Sequence, residues 1–285
     1  MKVLFLIVLA LAILGTGSYF TYEMFVRPKL ALQHEKSQLP PPPPPDPTLI
    51  EYARVQSVLQ LGNFLESRIA LADFVGRYPD SSKVDEAKEQ LGKINIEIFL
   101  SNRSAPEKVV YVVRPGDVLT RVAAKLSVTP ELLMRANNLH QNMLRTGQRL
   151  AVSPAEFSVK INREKKLVTL YNQDRFFKQY PIHAWTNSMN KGGHPATPHQ
   201  KQVGKVRDKV ALVAGHRVTF ADKSYWDAKF WIETTLSGCT LYPDPDENAK
   251  DAPNAKPTNG GISLAPEDLT ELGALLSKDD PVTLD

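Results

Sequence analysis

The spacing of hydrophobic and polar positions changes several times along the chain, and each change predicts a different kind of element. After Lys2 the run VLFLIVLALAIL continues into GTGSYFTYEMFV with no charge before Glu23. About twenty such residues can cross a bilayer core as a helix. Residues 1–26 are therefore expected to be a membrane anchor, with Tyr19, Phe20 and Tyr22 at the interface. A cleaved signal peptide is the alternative, although no Ala-x-Ala site and no lipobox cysteine follows the run. Residues 27–47 read as a linker whose six consecutive prolines, Pro40 to Pro45, favour an extended polyproline II spacer.

Helical periodicity takes over in residues 48–102. Leu65, Ile69, Ala72 and Val75 mark one face of a helix that follows the Gly62-Asn63 break and ends before Pro79. Val84, Ala87, Leu91, Ile94 and Ile98 mark the face of the next, with Ser82 and Asp85 spaced as a capping box. Together they predict a helical hairpin spacer packed on the next domain. In residues 109–153 the rhythm shortens. Tyr111 to Val113 alternates as a strand, and Leu119, Val122, Ala123 and Leu126 share a helical face. Thr129 caps a second helix with Pro130 at its first position, Leu132, Leu133, Ala136 and Leu139 face inward, and Thr146-Gly147-Gln148 turns into a closing strand. From Phe157 the period becomes two: FSVKI, KLVTLY and RFFKQYPI, separated by turns at 162–165 and 172–174, predict a β-meander. The aromatic strand KFWIETTL, a polar loop, a short strand after Gly260-Gly261, a helix opened by Pro266 and a final strand PVTL follow. The fold class is multidomain α+β.

Composition adds limits. The 285 residues carry a net charge of +4, with 42% hydrophobic and 23% charged residues, an ordinary globular balance with a mildly basic surface. That surface suits an anionic wall or membrane, and no nucleic-acid partner is expected. Cys239 is the single cysteine, so no intramolecular disulfide and no cysteine-rich metal site can form. His194 and His199 have no carboxylate or third histidine at ligand spacing, so neither a metal nor a cofactor is expected.

Two family resemblances, and a looser third, give these patterns a meaning. The helical pair with Tyr78-Pro79-Asp80-Ser81 loosely resembles a tetratricopeptide unit, and one unit cannot build a solenoid. Tyr111, Val113, Gly116, Asp117, Leu119, Val122, Ala123, Asn137, Gly147, Gln148, Leu150 and Val152 stand at the offsets of the LysM family, with departures at Val118, where Ser or Thr is usual, and at Ser127, where Gly is usual. The resemblance implies a βααβ module that binds N-acetylglucosamine-containing glycan, chiefly peptidoglycan. Its groove would lie between two loops, with Gly116, Asp117, Val118 and Leu119 on the first and Leu139, Met143 and Leu144 on the second. A glycan-binding module must face the wall. That requirement places the C-terminal domains on the extracytoplasmic side of a single-pass membrane protein, although Arg27 and Lys29 after the apolar run lean the other way.

Residues 156–285 resemble the L,D-transpeptidase domain, whose Ser-x-Gly-Cys-Ile-Arg-Leu motif stands here as Thr258, Asn259, Gly260, Gly261, Ile262, Ser263 and Leu264. Gly261 occupies the nucleophile position and Ser263 the arginine position. No histidine follows His216; Glu233 or Thr234 falls where the family has its histidine, and Thr197-Pro198 is followed by His199-Gln200. Cysteine transpeptidation needs a thiolate to attack the peptide carbonyl and a histidine to activate it. The resemblance therefore implies a peptidoglycan-associated domain that has lost its catalysis. Two alternatives stay open: an active enzyme with a rearranged pair, Cys239 and His216, and a purely structural envelope scaffold.

Overall fold

The computed structural model describes residues 14–29, 46–186, 201–220, 222–244, 257 and 260–285. The chain divides into two compact units, Met1–Asp46 and Pro47–Asp285. In the first, residues 14–29 are helical with a π-helical stretch at Tyr22–Val26, and Glu23 pairs with Arg27 one turn on. Among the described residues no helix is long and apolar enough to cross a membrane. Residues 1–13 of the expected anchor and the six prolines lie outside them.

The second unit opens with three helices, α1 (Thr48–Gln60), α2 (Phe64–Arg77) and α3 (Val84–Phe99). The break before α2 falls at Gly62, whose φ is +73°, and Asn63 caps the helix by accepting the Leu65 and Glu66 amides. The face of α2 differs from the expected one: Ser67, Leu71 and Phe74 are buried, whereas Ile69 is 66% exposed. Phe74 decides this orientation, because its ring stacks between Tyr52 and Tyr78, 5.3 Å from each. In α3 the expected face, Val84, Ala87, Leu91, Ile94 and Ile98, is buried. At its start Lys83 is the N-cap and makes no side-chain cap. Ser81 takes the Lys83 amide on its hydroxyl and the Val84 amide on its carbonyl.

Next come β1 (Val109–Val112), α4 (Leu119–Lys125), α5 (Pro130–Ala136) and β2 (Arg149–Val152), with β1 and β2 paired antiparallel. The remaining strands are β3 (Phe157–Asn162), β4 (Leu167–Asn172), β5 (Arg175–Pro181), β6 (Ala184–Thr186), β7 (Gln202–Val213), β8 (His216–Val218), β9 (Lys229–Thr234), β10 (Thr240–Pro243), β11 (Gly261–Leu264) and β12 (Pro281–Leu284). They form one ten-stranded sheet in the order β5-β4-β3-β12-β7-β9-β10-β11-β6, with β8 hairpinned onto β7. Most pairs are antiparallel; β10 with β11 and β3 with β12 are parallel. A 3-10 helix, Lys223–Asp227, precedes β9, and α6 (Pro266–Leu275) lies between β11 and β12.

The strand β7 escapes a reading by hydrophobic period because three of its positions are cations. In the fold Lys205 pairs with Asp279, Arg207 with Glu233 and Lys209 with Glu131, so these charges are met by neighbouring carboxylates. Tyr242 and Pro243, which sequence places at the start of the polar loop, close the interior strand β10.

The helical spacer, the βααβ module and the sheet share one core. Asn95 of α3 donates to the Phe177 carbonyl at 2.8 Å, and Phe99 meets Phe177 edge-on at 4.8 Å. Gly92 makes that approach possible, because a Cβ there would lie 2.9 Å from Lys178 Cγ. The first turn of α5 is sewn to the sheet domain. The Thr129 hydroxyl donates to the Ala274 carbonyl, while the buried Glu131 carboxylate accepts from the Tyr225 phenol and pairs with Lys209 at 3.3 Å. Burial, with the adjacent carboxylate, drives the Tyr225 phenol well above its ordinary pKa and keeps it a donor.

Candidate functional site

In the βααβ module the chain enters through β1 and turns at Arg114–Asp117. Gly116 has φ +80°, and the Asp117 carboxylate accepts from the Arg114 amide at 2.8 Å and the Tyr111 hydroxyl at 2.7 Å. Those bonds hold the carboxyl below its ordinary pKa. Asp117 thus shapes the turn through one carboxylate oxygen, Oδ2. Val118 is the N-cap of α4, 49% exposed, with no side-chain cap. Leu119 was expected in the groove; it is 2% exposed and belongs to the core with Val122 and Ala123. The reason is helical phase, which turns the first residue of α4 inward beside the position one turn later.

Thr129 caps α5 by accepting the Leu132 amide at 2.9 Å, as its sequence predicts. At the other end Asn137 acts as a bracket: its amide nitrogen donates to the Leu133 and Ala151 carbonyls, and its oxygen accepts the Ala151 amide at 2.7 Å. One side chain thereby joins the end of α5 to β2. The two loops expected to flank a groove are neighbours, since Val113 and Gly147/Gln148 exchange backbone bonds of 2.9 Å in both directions. Beside them lies a depression of about 610 Å³ lined by Leu139, Met143, Arg145 and Gln148 together with Asn138 and His140. Met143 is 76% exposed on its rim. Leu144 is half-buried and outside the lining; Gly116, Asp117 and Val118 are outside the lining too.

In the sheet, Gly261 pairs with Thr240 on one side and Thr186 on the other. Leu241 pairs with Ile232, which sets Thr240 beside Glu233 on the next strand. Glu233, Thr240, Gly261 and Thr186 therefore form one row across four strands, with Glu233 and Gly261 about 10 Å apart at ordinary strand spacing. Of the two residues that sequence offers for the histidine position, Glu233 is the one that lies in the row of Gly261. Its carboxylate is held by Arg207 at 2.7 Å. Thr234 points to the other face, buried, with its hydroxyl donating to the Cys239 carbonyl at 3.1 Å. No side chain fits at Gly261: a Cβ would stand 2.6 Å from the Thr240 carbonyl oxygen and 2.6 Å from Pro257 Cγ. Ser263 is buried, and among the described residues its hydroxyl has no hydrogen-bond partner.

Cys239 and His216 are not brought together. Cys239 sits by the Thr234 end of β9, which pairs with Val206, whereas His216 pairs with Val213 at the far end of β7. Seven residues of strand separate those levels, about 20 Å. The thiol is fully buried, and burial pushes it up to about 11 even with Arg163 opposing. One histidine does lie near the row, which sequence order conceals: the His183 amide donates to the Ser263 carbonyl at 3.0 Å, and its imidazole Nδ1 meets Asp244. Among the described residues no group of three or more His, Cys, Asp or Glu side chains is placed to hold a metal ion. His194, His199, Thr197-Pro198, Thr258 and Asn259 lie outside them.

Residues 111–153 match the family model of the LysM domain. No protein of curated function matches the chain. Among solved structures, an L,D-transpeptidase from Mycobacterium smegmatis aligns at 14% identity and a TM-score of 0.28, covering 49% of this chain and 63% of that one. An L,D-transpeptidase from Stackebrandtia nassauensis aligns at 11% identity and a TM-score of 0.29, covering 77% of this chain and 78% of that one. The chain thus spans less than two thirds of the mycobacterial protein's length. Scores of this size do not define a common fold, so the chemistry of the C-terminal sheet has to be argued from its own residues.

Proposed function

We propose that the protein is a cell-envelope component that holds the glycan of peptidoglycan through its LysM module and carries a C-terminal sheet without transpeptidase chemistry. The observation that carries the first part is the module itself. Residues 111–153 match the LysM model and fold with the two loops joined by backbone bonds beside an open depression. A sugar with an acetamide suits such a place, because backbone groups meet its polar edge and Leu139 and Met143 meet its methyl. The second part is supported by the row through Gly261, which has a carboxylate in the histidine position and no room for a nucleophile. In this reading residues 1–26 anchor the chain in the cytoplasmic membrane, with its N-terminus in the cytoplasm and the wall-binding parts outside.

Co-sedimentation of the full chain with purified peptidoglycan tests the binding. The wild type is expected in the pellet at low and moderate salt, and a Val118→Glu/Met143→Glu variant, altered only at exposed positions, in the supernatant. Wild-type protein that stays in the supernatant at both salts sinks the proposal. Incubation with a carbapenem followed by intact-mass measurement tests the chemistry. No adduct is expected; stoichiometric acylation lost in Cys239→Ala would establish that catalysis had moved to the thiol.

A further inference from the structure

We propose that the glycan groove runs off the LysM module onto a second saccharide subsite that the rest of the chain builds. The inference rests on the glycan-binding reading above. A second depression, of about 530 Å³, is lined by Leu100 at the end of α3, Arg135 of α5 and Trp226 of the 3-10 helix. It shares Asn138, Leu139 and His140 with the depression at the glycan loops. The shared residues set the two side by side, so a strand longer than the first depression reaches the second across Leu139.

The lining has the chemistry of a sugar site. Trp226 is only partly buried and is held in place from behind, edge-on to Phe220 and to Tyr225 with centroids 5.7 Å apart in each case. A fixed indole with Leu100 beside it gives a flat apolar wall for the C–H face of a pyranose. Arg135 supplies the polar half. Its Nε is buried and among the described residues has no hydrogen-bond partner. An atom closed to solvent is closed to a ligand as well, so what Arg135 offers is the part of its half-buried side chain that lines the depression. The occupant that satisfies both halves is the next N-acetylhexosamine of the same glycan strand, its ring on Trp226 and its acetamide oxygen on Arg135. The module alone holds the first subsite; α3 and the 3-10 helix are needed for the second.

The test is titration of the full chain with tri- and hexa-N-acetylchitooligosaccharide. The wild type is expected to bind the hexasaccharide about ten-fold more tightly than the trisaccharide. In Trp226→Leu, and in Arg135→Met, that preference should fall to about two-fold with trisaccharide affinity unchanged. Because Trp226 also packs internally, a second measurement leaves the protein intact: the Trp226 indole N–H resonance should shift with the hexasaccharide and not with the trisaccharide. A full preference retained in Trp226→Leu, or a silent indole resonance, overturns the second subsite while leaving the first. Failure of the wild type to bind either sugar removes the glycan reading and the subsite with it.

Discussion

Gly261 lies in register with Thr240 across a parallel strand pair, and a Cβ on it would stand 2.6 Å from the Thr240 carbonyl oxygen. Strand pairing has closed the space that a nucleophile would occupy. Gly261→Ala and Gly261→Cys should each lower stability by about 2 kcal/mol, the ordinary cost of overpacking a filled core. Neither should form L,D-cross-links from a tetrapeptide donor. Chemical denaturation with both variants checks the first part. A Gly261→Cys protein that melts like the wild type and is acylated by a carbapenem would show that the site is open.

Ser127 closes α4 at φ +55°, a left-handed conformation that an L side chain adopts at a cost and glycine adopts freely. Ser127→Gly is expected to raise stability by about 0.5–1 kcal/mol, the gain from relieved strain being partly offset by the more flexible unfolded chain. Val118→Ser should add about 1 kcal/mol by giving α4 the cap it lacks. The two sites are at opposite ends of one short helix, so additivity is itself informative. Thermal unfolding of both single variants and the double variant decides it; no gain from either would mean that the helix ends are already satisfied.

Asp280 supplies a pH dependence. Burial raises its carboxyl to about 6, against the Ser277 amide and Lys209, which favour the charged form, and with Asp279 adding to the rise. The folded state therefore binds the proton more tightly than the unfolded state. The resulting stabilisation is complete below the ordinary carboxylate range near 4 and is lost as pH rises through about 6. Asp280→Asn should be more stable than the wild type by about 1 kcal/mol at pH 7.5, once solvent screening is allowed for. The difference should vanish near pH 4. A variant less stable than the wild type at pH 7.5 would mean that the Ser277 amide needs the charge.

Much of the module can be read from residue order, because its signals are local: Thr129 before Pro130, the inward face of α5, and Gly116 and Gly147 at positive φ. The groove is less legible. Leu119 carries two signals, a place on the helical face with Val122 and Ala123 and a place on the first loop, and the fold keeps the first. The row through Glu233 and Gly261 needs the register of three successive strands, β9, β10 and β11, which no periodicity supplies. His183 precedes the strands it joins by sixty residues or more, so order along the chain hides its place beside Ser263. The cations of β7 are the clearest failure: each is answered by a carboxylate from another element, and polarity alone cannot tell a solvated charge from a paired one. Trp226 was silent for a related reason, since nothing near it in sequence belongs to the surface it joins.

The stitching of α5 to the sheet, by Thr129 on the Ala274 carbonyl and Glu131 between Tyr225 and Lys209, has a mechanical consequence. A module on a free tether would grip a sugar and leave its passenger to tumble. Here the module is fixed to the sheet, so on the proposed glycan binding the direction in which a strand ran across Leu139 would set the heading of the whole sheet. The wall would then act as a compass for this protein as well as a mooring.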